Sequence, residues 1–198
     1  MGEVYEATQL ALDRRVAIKV IGGRFVVGPA DLKRFEREAR TAAALNHPAV
    51  VQVFDFAQDQ GRQFLVMEFV EGEDLGSYVR RTGKLSVADS LFVIEQAITA
   101  LAAALDKSIV HRDIKPQNLM RTTNGRIKVA DLGLAKILSE DSDLTLSGAG
   151  MGSPHFMAPE QAKDARSVDH RADIYSLGIT LLYLLTGKPP FRGVATST

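Results

Sequence analysis

Between residues 3 and 20 the chain alternates apolar and polar positions around a short polar break. Val4, Ala7, Val16, Ala17, Ile18 and Val20 occupy the strand-like positions, and Leu12-Asp13-Arg14-Arg15 interrupts them. That pattern predicts two antiparallel strands joined by a turn. Beyond the loop GGRFVVGPAD, Asp31 is the expected N-cap of a helix over LKRFEREARTAAAL. Its apolar face would carry Leu32, Phe35, Ala39, Ala42 and Ala43. HPAVVQVFDFAQD and RQFLVMEFV read as two further strands about an Asp59-Gln60-Gly61 turn.

Past EGED the period changes. Ser86 is placed to cap a long helix in which Leu91, Ile94, Ile98, Leu101 and Leu105 recur at helical spacing. Short apolar runs follow at Ile109-Val110, Leu119-Met120 and Ile127-Lys128-Val129, the last after an Asn124-Gly125 hairpin signal. Another helix is predicted from Asp173 to Leu185, stopped by Gly187 and Pro189. The sum is an α+β, bilobal chain. Residues 1–67 form a small β-rich lobe, 68–73 a polar hinge, and 74–198 a larger, mainly α-helical lobe. A cleft between two lobes is a usual ligand site.

Composition narrows the function classes. Apolar residues make up 45% and charged residues 24%, as in ordinary globular chains. Lys+Arg and Asp+Glu are equal at 24 each, so no global field draws nucleic acid or an anionic membrane. The absence of cysteine excludes disulfides and thiolate metal sites. The apolar run Ile174–Leu185 is too short to span a bilayer, and no signal peptide opens the chain. A cytoplasmic location with no membrane segment is the expectation.

The chemistry concentrates in HRDIKPQNLM (111–120) and VADLGLAK (129–136). Asp113, Lys115, Asn118 and Asp131 fall on loops beside short strands. Phosphoryl transfer wants such a set: a carboxylate to orient a hydroxyl, a cation for the moving phosphoryl group, and oxygen ligands for magnesium.

Together with VAIK, REAR, APE, DIYSLG and GKPPF, these motifs resemble the eukaryotic-type protein kinases along essentially the whole chain. The resemblance implies ATP and Mg2+ as cofactors. It puts Lys19 on the α- and β-phosphates and Glu38 as its ion-pair partner. Asp113 becomes the catalytic base, Lys115 the stabiliser of the transferred phosphoryl, and Asn118 and Asp131 the metal ligands. Gly2 and Val4 match the end of the glycine-rich loop, with Val4 packing on adenine. Ala17 joins the nucleotide-binding set, Met67 is the gatekeeper, and the backbone at Glu68 and Val70 is expected to bind adenine. Asp74 is expected at the ribose or as a helix N-cap. Val53, Ala42, His111, Leu132 and Asp173 match stacked regulatory positions.

The same resemblance implies that both lobes are incomplete. The first loop glycines would precede Met1, and Glu160 of APE would be buried with its cation beyond the chain. Lys115 and Ser153 are serine/threonine-type choices, and the wording of MGEVYEA, LNHPAVVQVFDF and MAPEQA is similar to bacterial serine/threonine kinases. Protein substrates with serine or threonine acceptors are therefore the implied partners. Thr145 and Ser147 are candidates for autophosphorylation, facing Arg112. The alternative function is a catalytically silent binding or regulatory module.

Overall fold

The computed structural model describes residues 3–21, 29–60, 62–132, 154–164 and 168–190. Strands β1 (Val4–Gln9) and β2 (Arg14–Ile21) pair antiparallel, so the first hairpin stands as expected. Its turn lies earlier than predicted, because Asp13 takes the left-handed φ of 46° that closes it and releases Arg14 and Arg15 into β2. Helix α1 (Pro29–Ala43) begins two residues before Asp31, with proline in its first turn. Ala39 and Ala42 are buried as predicted. The side chains of Asp31, Leu32, Phe35 and Glu38 lie outside the described residues.

Strands β3 (Val53–Asp59) and β4 (Arg62–Glu68) complete a sheet of order β1-β2-β4-β3. Residues 47–52, predicted as strand, instead run from α1 to β3. There Val51 N–H donates to Val129 O (2.9 Å) and Val129 N–H to Ala49 O (2.8 Å). This segment therefore anchors the first lobe on the second.

The second lobe opens with β5 (Gly72–Asp74) and α2 (Leu75–Thr82), a helix the apolar periodicity did not mark. Asp74 caps it, its Oδ1 accepting from Ser77 N–H at 2.8 Å. Helix α3 (Val87–Leu105) is capped by Ser86, as predicted, but presents a different face to the core. Leu91, Ile98 and Leu105 are exposed, while Ser90, Val93, Ala97, Ala100 and Ala104 are buried. Small side chains let α3 lie close to its neighbours, and spacing alone could not separate two apolar faces. By length and composition α3 could also cross a membrane.

A single 3₁₀ turn (Pro116–Asn118) leads into β6 (Leu119–Thr122), which pairs with β5 and with β7 (Ile127–Val129). The short helix α4 (Pro159–Lys163) and the helix α5 (Arg171–Thr186) follow. Glu160, expected to be buried, is exposed. At the start of α5, hydrogen bonding to the Arg171 guanidinium lowers the Asp169 carboxyl to about 2. α5 ends on Gly187 (φ 70°), as the sequence indicated. Two main cores result. One fills the helical lobe around Leu75, Ala97, Ile114, Leu119 and Leu184. The other joins β2, β4 and α1 through Ile21, Ala39, Leu65 and Met67.

Candidate active site

The site is assembled where β2, the end of β4 and the loops flanking β6 and β7 meet. Lys19, in β2, sends Nζ to within 2.6 Å of Asp131 Oδ2. Asp131 lies just past β7 with φ 60°, a left-handed conformation that turns its carboxylate off the strand. Both side chains are partly shielded, 13% and 27% exposed.

Asp113 is the centre of a second cluster. Its Oδ2 accepts from Lys115 Nζ at 2.6 Å and from Asn118 Nδ2 at 3.0 Å. Asn118 Nδ2 also donates to Asp113 O at 2.7 Å. Lys115 is among the largest fully buried side chains, and burying its ammonium is tolerable because that carboxylate stands against it. Asn118 is buried and keeps Oδ1 free of partners among the described residues. Ala130 N–H donates to Asn118 O at 2.8 Å, which ties the loop bearing Asn118 to the one bearing Asp131.

The scaffold beneath this loop is long-range in sequence. Asp173 of α5 accepts from His111 N–H and Arg112 N–H, both at 2.8 Å. His111 is fully buried; its Nδ1 accepts from Asp113 N–H at 3.2 Å, so its Nε2 donates to Ala130 O at 2.9 Å. Gln161 Nε2 donates to Arg112 O at 2.6 Å. Arg112 itself, at φ 67°, uses Nη2 on Val168 O, while its Nε and Nη1 are buried without a partner among the described residues.

The expected nucleotide-facing positions divide. Ala17 pairs in register with Met67, which is buried, and Val70 packs on the same core. At Glu68 the N–H is committed to Gln52 O at 2.8 Å and the carboxylate to Lys128, which leaves the carbonyl as the backbone group open to a ligand. Val4 pairs with Lys19 across β1 and β2 and is exposed. Asp74 acts as the N-cap, the second of its two expected roles. Gly2 and the side chain of Glu38 lie outside the described residues, as do Thr145 and Ser147. Met120 and Ala130, which the sequence reading did not assign, reach from the second lobe to pack on the first-lobe core. The alternation of Met120 with buried Leu119 along β6 was the available signal.

A four-stranded sheet with one helix, hinged to a helical lobe whose loops carry Asp113, Asn118 and Asp131, the last paired with Lys19, defines a two-lobed kinase-type fold. The family model for the protein kinase domain matches residues 1–198, and the chain belongs to that family. It is 42% identical over 198 residues to the serine/threonine-protein kinase PknA of Mycobacterium tuberculosis, covering 98% of this chain and 46% of that protein. Against the serine/threonine-protein kinase PrkC of Bacillus subtilis it is 40% identical over 193 residues, covering 98% and 30% respectively. The chain thus spans less than half the length of these relatives. Among solved structures, the PknI kinase domain of M. tuberculosis superposes with a TM-score of 0.80 at 30% identity, covering 100% of this chain and 72% of that one.

Proposed function

We propose that this chain transfers the γ-phosphoryl group of ATP, with Mg2+, to serine or threonine hydroxyls of protein substrates. The observation that carries the reading is the convergence on Asp113: a carboxylate held by a buried lysine and a buried asparagine, on a loop that the Ala130 N–H to Asn118 O bond ties to the one whose Asp131 pairs with Lys19. Relatives named as serine/threonine-protein kinases support the acceptor class.

In this reading Asp113 accepts the hydrogen bond of the acceptor hydroxyl and turns its oxygen toward the phosphorus. Lys115, already beside that carboxylate, offsets negative charge on the phosphoryl group in flight. Asn118 Oδ1 and the Asp131 carboxylate are hard oxygen donors that suit magnesium, which takes few protein ligands and completes its shell with phosphate and water. The bound metal would neutralise phosphate charge. Lys19 would then exchange Asp131 for the α- and β-phosphates, with Glu38 of α1 as its partner. Ala17, Met67, Val70, Met120 and Ala130, which share one apolar core, would enclose adenine, and the Glu68 carbonyl and Val70 N–H would supply its hydrogen bonds. Gly2 and Val4 would cover the nucleotide from above, with Asp74 near the ribose.

The test is radiolabel transfer from ATP to a generic protein substrate, followed by phosphoamino-acid analysis. Label on serine and threonine, dependent on Mg2+ and lost in Asp113→Asn, is the expected result. No transfer, or transfer that survives Asp113→Asn, would refute it.

A further inference from the structure

On the outer face of α1 lies a groove of about 590 Å3 bounded by Lys33, Glu36, Arg37, Arg40 and Thr41, with Lys107 from the turn after α3. Positions 33, 37 and 40 follow i, i+4, i+7 and so form one stripe, about 10 Å long at 1.5 Å per residue. All four cations are exposed. Elsewhere three exposed cations are held in ion pairs, Arg15 with Glu71, Arg81 with Glu73 and Arg171 with Asp169; what sets the groove apart is that four cations line one concavity. Arg37 is also engaged. Among the described residues, however, the side chains of Lys33, Arg40 and Lys107 have no ion-pair or hydrogen-bond partner, and Glu36 is the one acid in the lining.

Like charges gathered in a concavity repel one another, and an anion seated among them relieves that repulsion. Because the chain as a whole is neutral, the attraction is local and not a long-range field. A flat anionic membrane cannot reach cations around a concave wall, whereas a single phosphate on a side chain can. A phosphomonoester also brings close to two negative charges and three acceptor oxygens, which suit an arginine fork flanked by ammonium groups.

We propose that this groove docks a phosphoserine- or phosphothreonine-bearing segment of a partner protein. The choice of phosphoamino acid rests on the proposed function, since that reaction makes it. The cations come from both lobes, Lys107 from the second and the rest from α1. A bound phosphate therefore ties α1, the helix bearing Glu38, to the second lobe beside the existing Ala49–Val129–Val51 anchor.

Binding of a fluorescein-labelled nine-residue peptide of Gly, Ser and Ala with one central phosphothreonine, read by anisotropy with the full chain, tests this. The phosphopeptide should bind at least about tenfold tighter than the same peptide with threonine, as charge-assisted contacts allow. The exposed double substitution Arg40→Ala, Lys107→Ala should abolish that preference, while Asp113→Asn should retain it. A chain without transferase activity would still show the preference, so the two readings fail separately. Equal binding of the two peptides would overturn the proposal. So would a preference that survives the double substitution, which would put the phosphate at Arg112, or binding to phosphatidylserine vesicles with no phosphopeptide preference.

Discussion

Lys19 Nζ and Asp131 Oδ2 stand 2.6 Å apart, so a strand of the first lobe and a loop of the second are joined by one ion pair. The pair holds the two charges a nucleotide–metal complex would need, each occupying the other's place. Replacing it by ligands costs little, because both side chains keep some contact with water. Lys19→Met should lower kcat/KM by about 10²- to 10³-fold, the loss typical of one preorganised electrostatic partner. Thermal unfolding should shift little. Near-normal turnover in steady-state assays would remove Lys19 from the phosphate-binding role.

Asp113 is held at the correct angle by Lys115 and Asn118 before any substrate arrives. Asp113→Asn keeps the shape but removes the acceptor charge. The expected loss is about 10²- to 10⁴-fold in kcat, with the ATP dissociation constant nearly unchanged. A matching loss in ATP affinity would instead assign Asp113 to nucleotide binding.

Asp173 supports the same loop from below. Its carboxylate satisfies two backbone N–H groups of His111 and Arg112 and is only 5% exposed. Asp173→Ala strands both donors in the core and should destabilise the fold by about 2–4 kcal/mol. Denaturant titration measures this. A change under about 0.5 kcal/mol would mean that water replaces the carboxylate.

Gly72 opens β5 opposite Thr122 of its antiparallel partner β6. A Cβ there would stand 2.0 Å from Arg121 O, and φ is 156°. Gly72→Ala therefore forces β5 off its partner and moves the start of α2. We expect a loss of about 2 kcal/mol or more, read as a lowered denaturation midpoint. An unchanged midpoint would show that the strand pair tolerates separation.

These contacts explain how much could be read from the chain alone. Asp113, Lys115 and Asn118 were legible because their geometry is local: one 3₁₀ turn brings them together. The strands of the first sheet were legible as short β-branched and aromatic runs bounded by turn residues, and only β4 alternates in burial, with Gln63, Leu65 and Met67 inside. The inner face of α3 was not. Its core stripe is Ser90, Val93, Ala97, Ala100 and Ala104, weaker in hydropathy than the exposed Leu91, Ile98 and Leu105. The support of His111 and Arg112 by Asp173 was equally hidden, because no periodicity links residues so far apart. Only packing reveals it.

Arg112 carries the last prediction. Its backbone is fixed by Asp173 and Gln161, and Nη2 donates to Val168 O at 3.2 Å. Among the described residues Nε and Nη1 are buried without partners, a costly state for a guanidinium. An anion brought to them gains charge-assisted hydrogen bonds in a partly shielded place. Thr145 and Ser147, outside the described residues, are the hydroxyls we expect to supply it once phosphorylated. Phosphorylation there should raise turnover, by about tenfold if one such contact orders the segment. Mass spectrometry after incubation with Mg-ATP should find phosphate between Ser139 and Ser153, and phosphatase treatment should reverse the gain. In Arg112→Gln the phosphate should still form, when supplied by the unaltered chain, but no longer raise activity. A Thr145→Ala, Ser147→Ala double variant at full activity would show that Arg112 meets its counter-charge elsewhere.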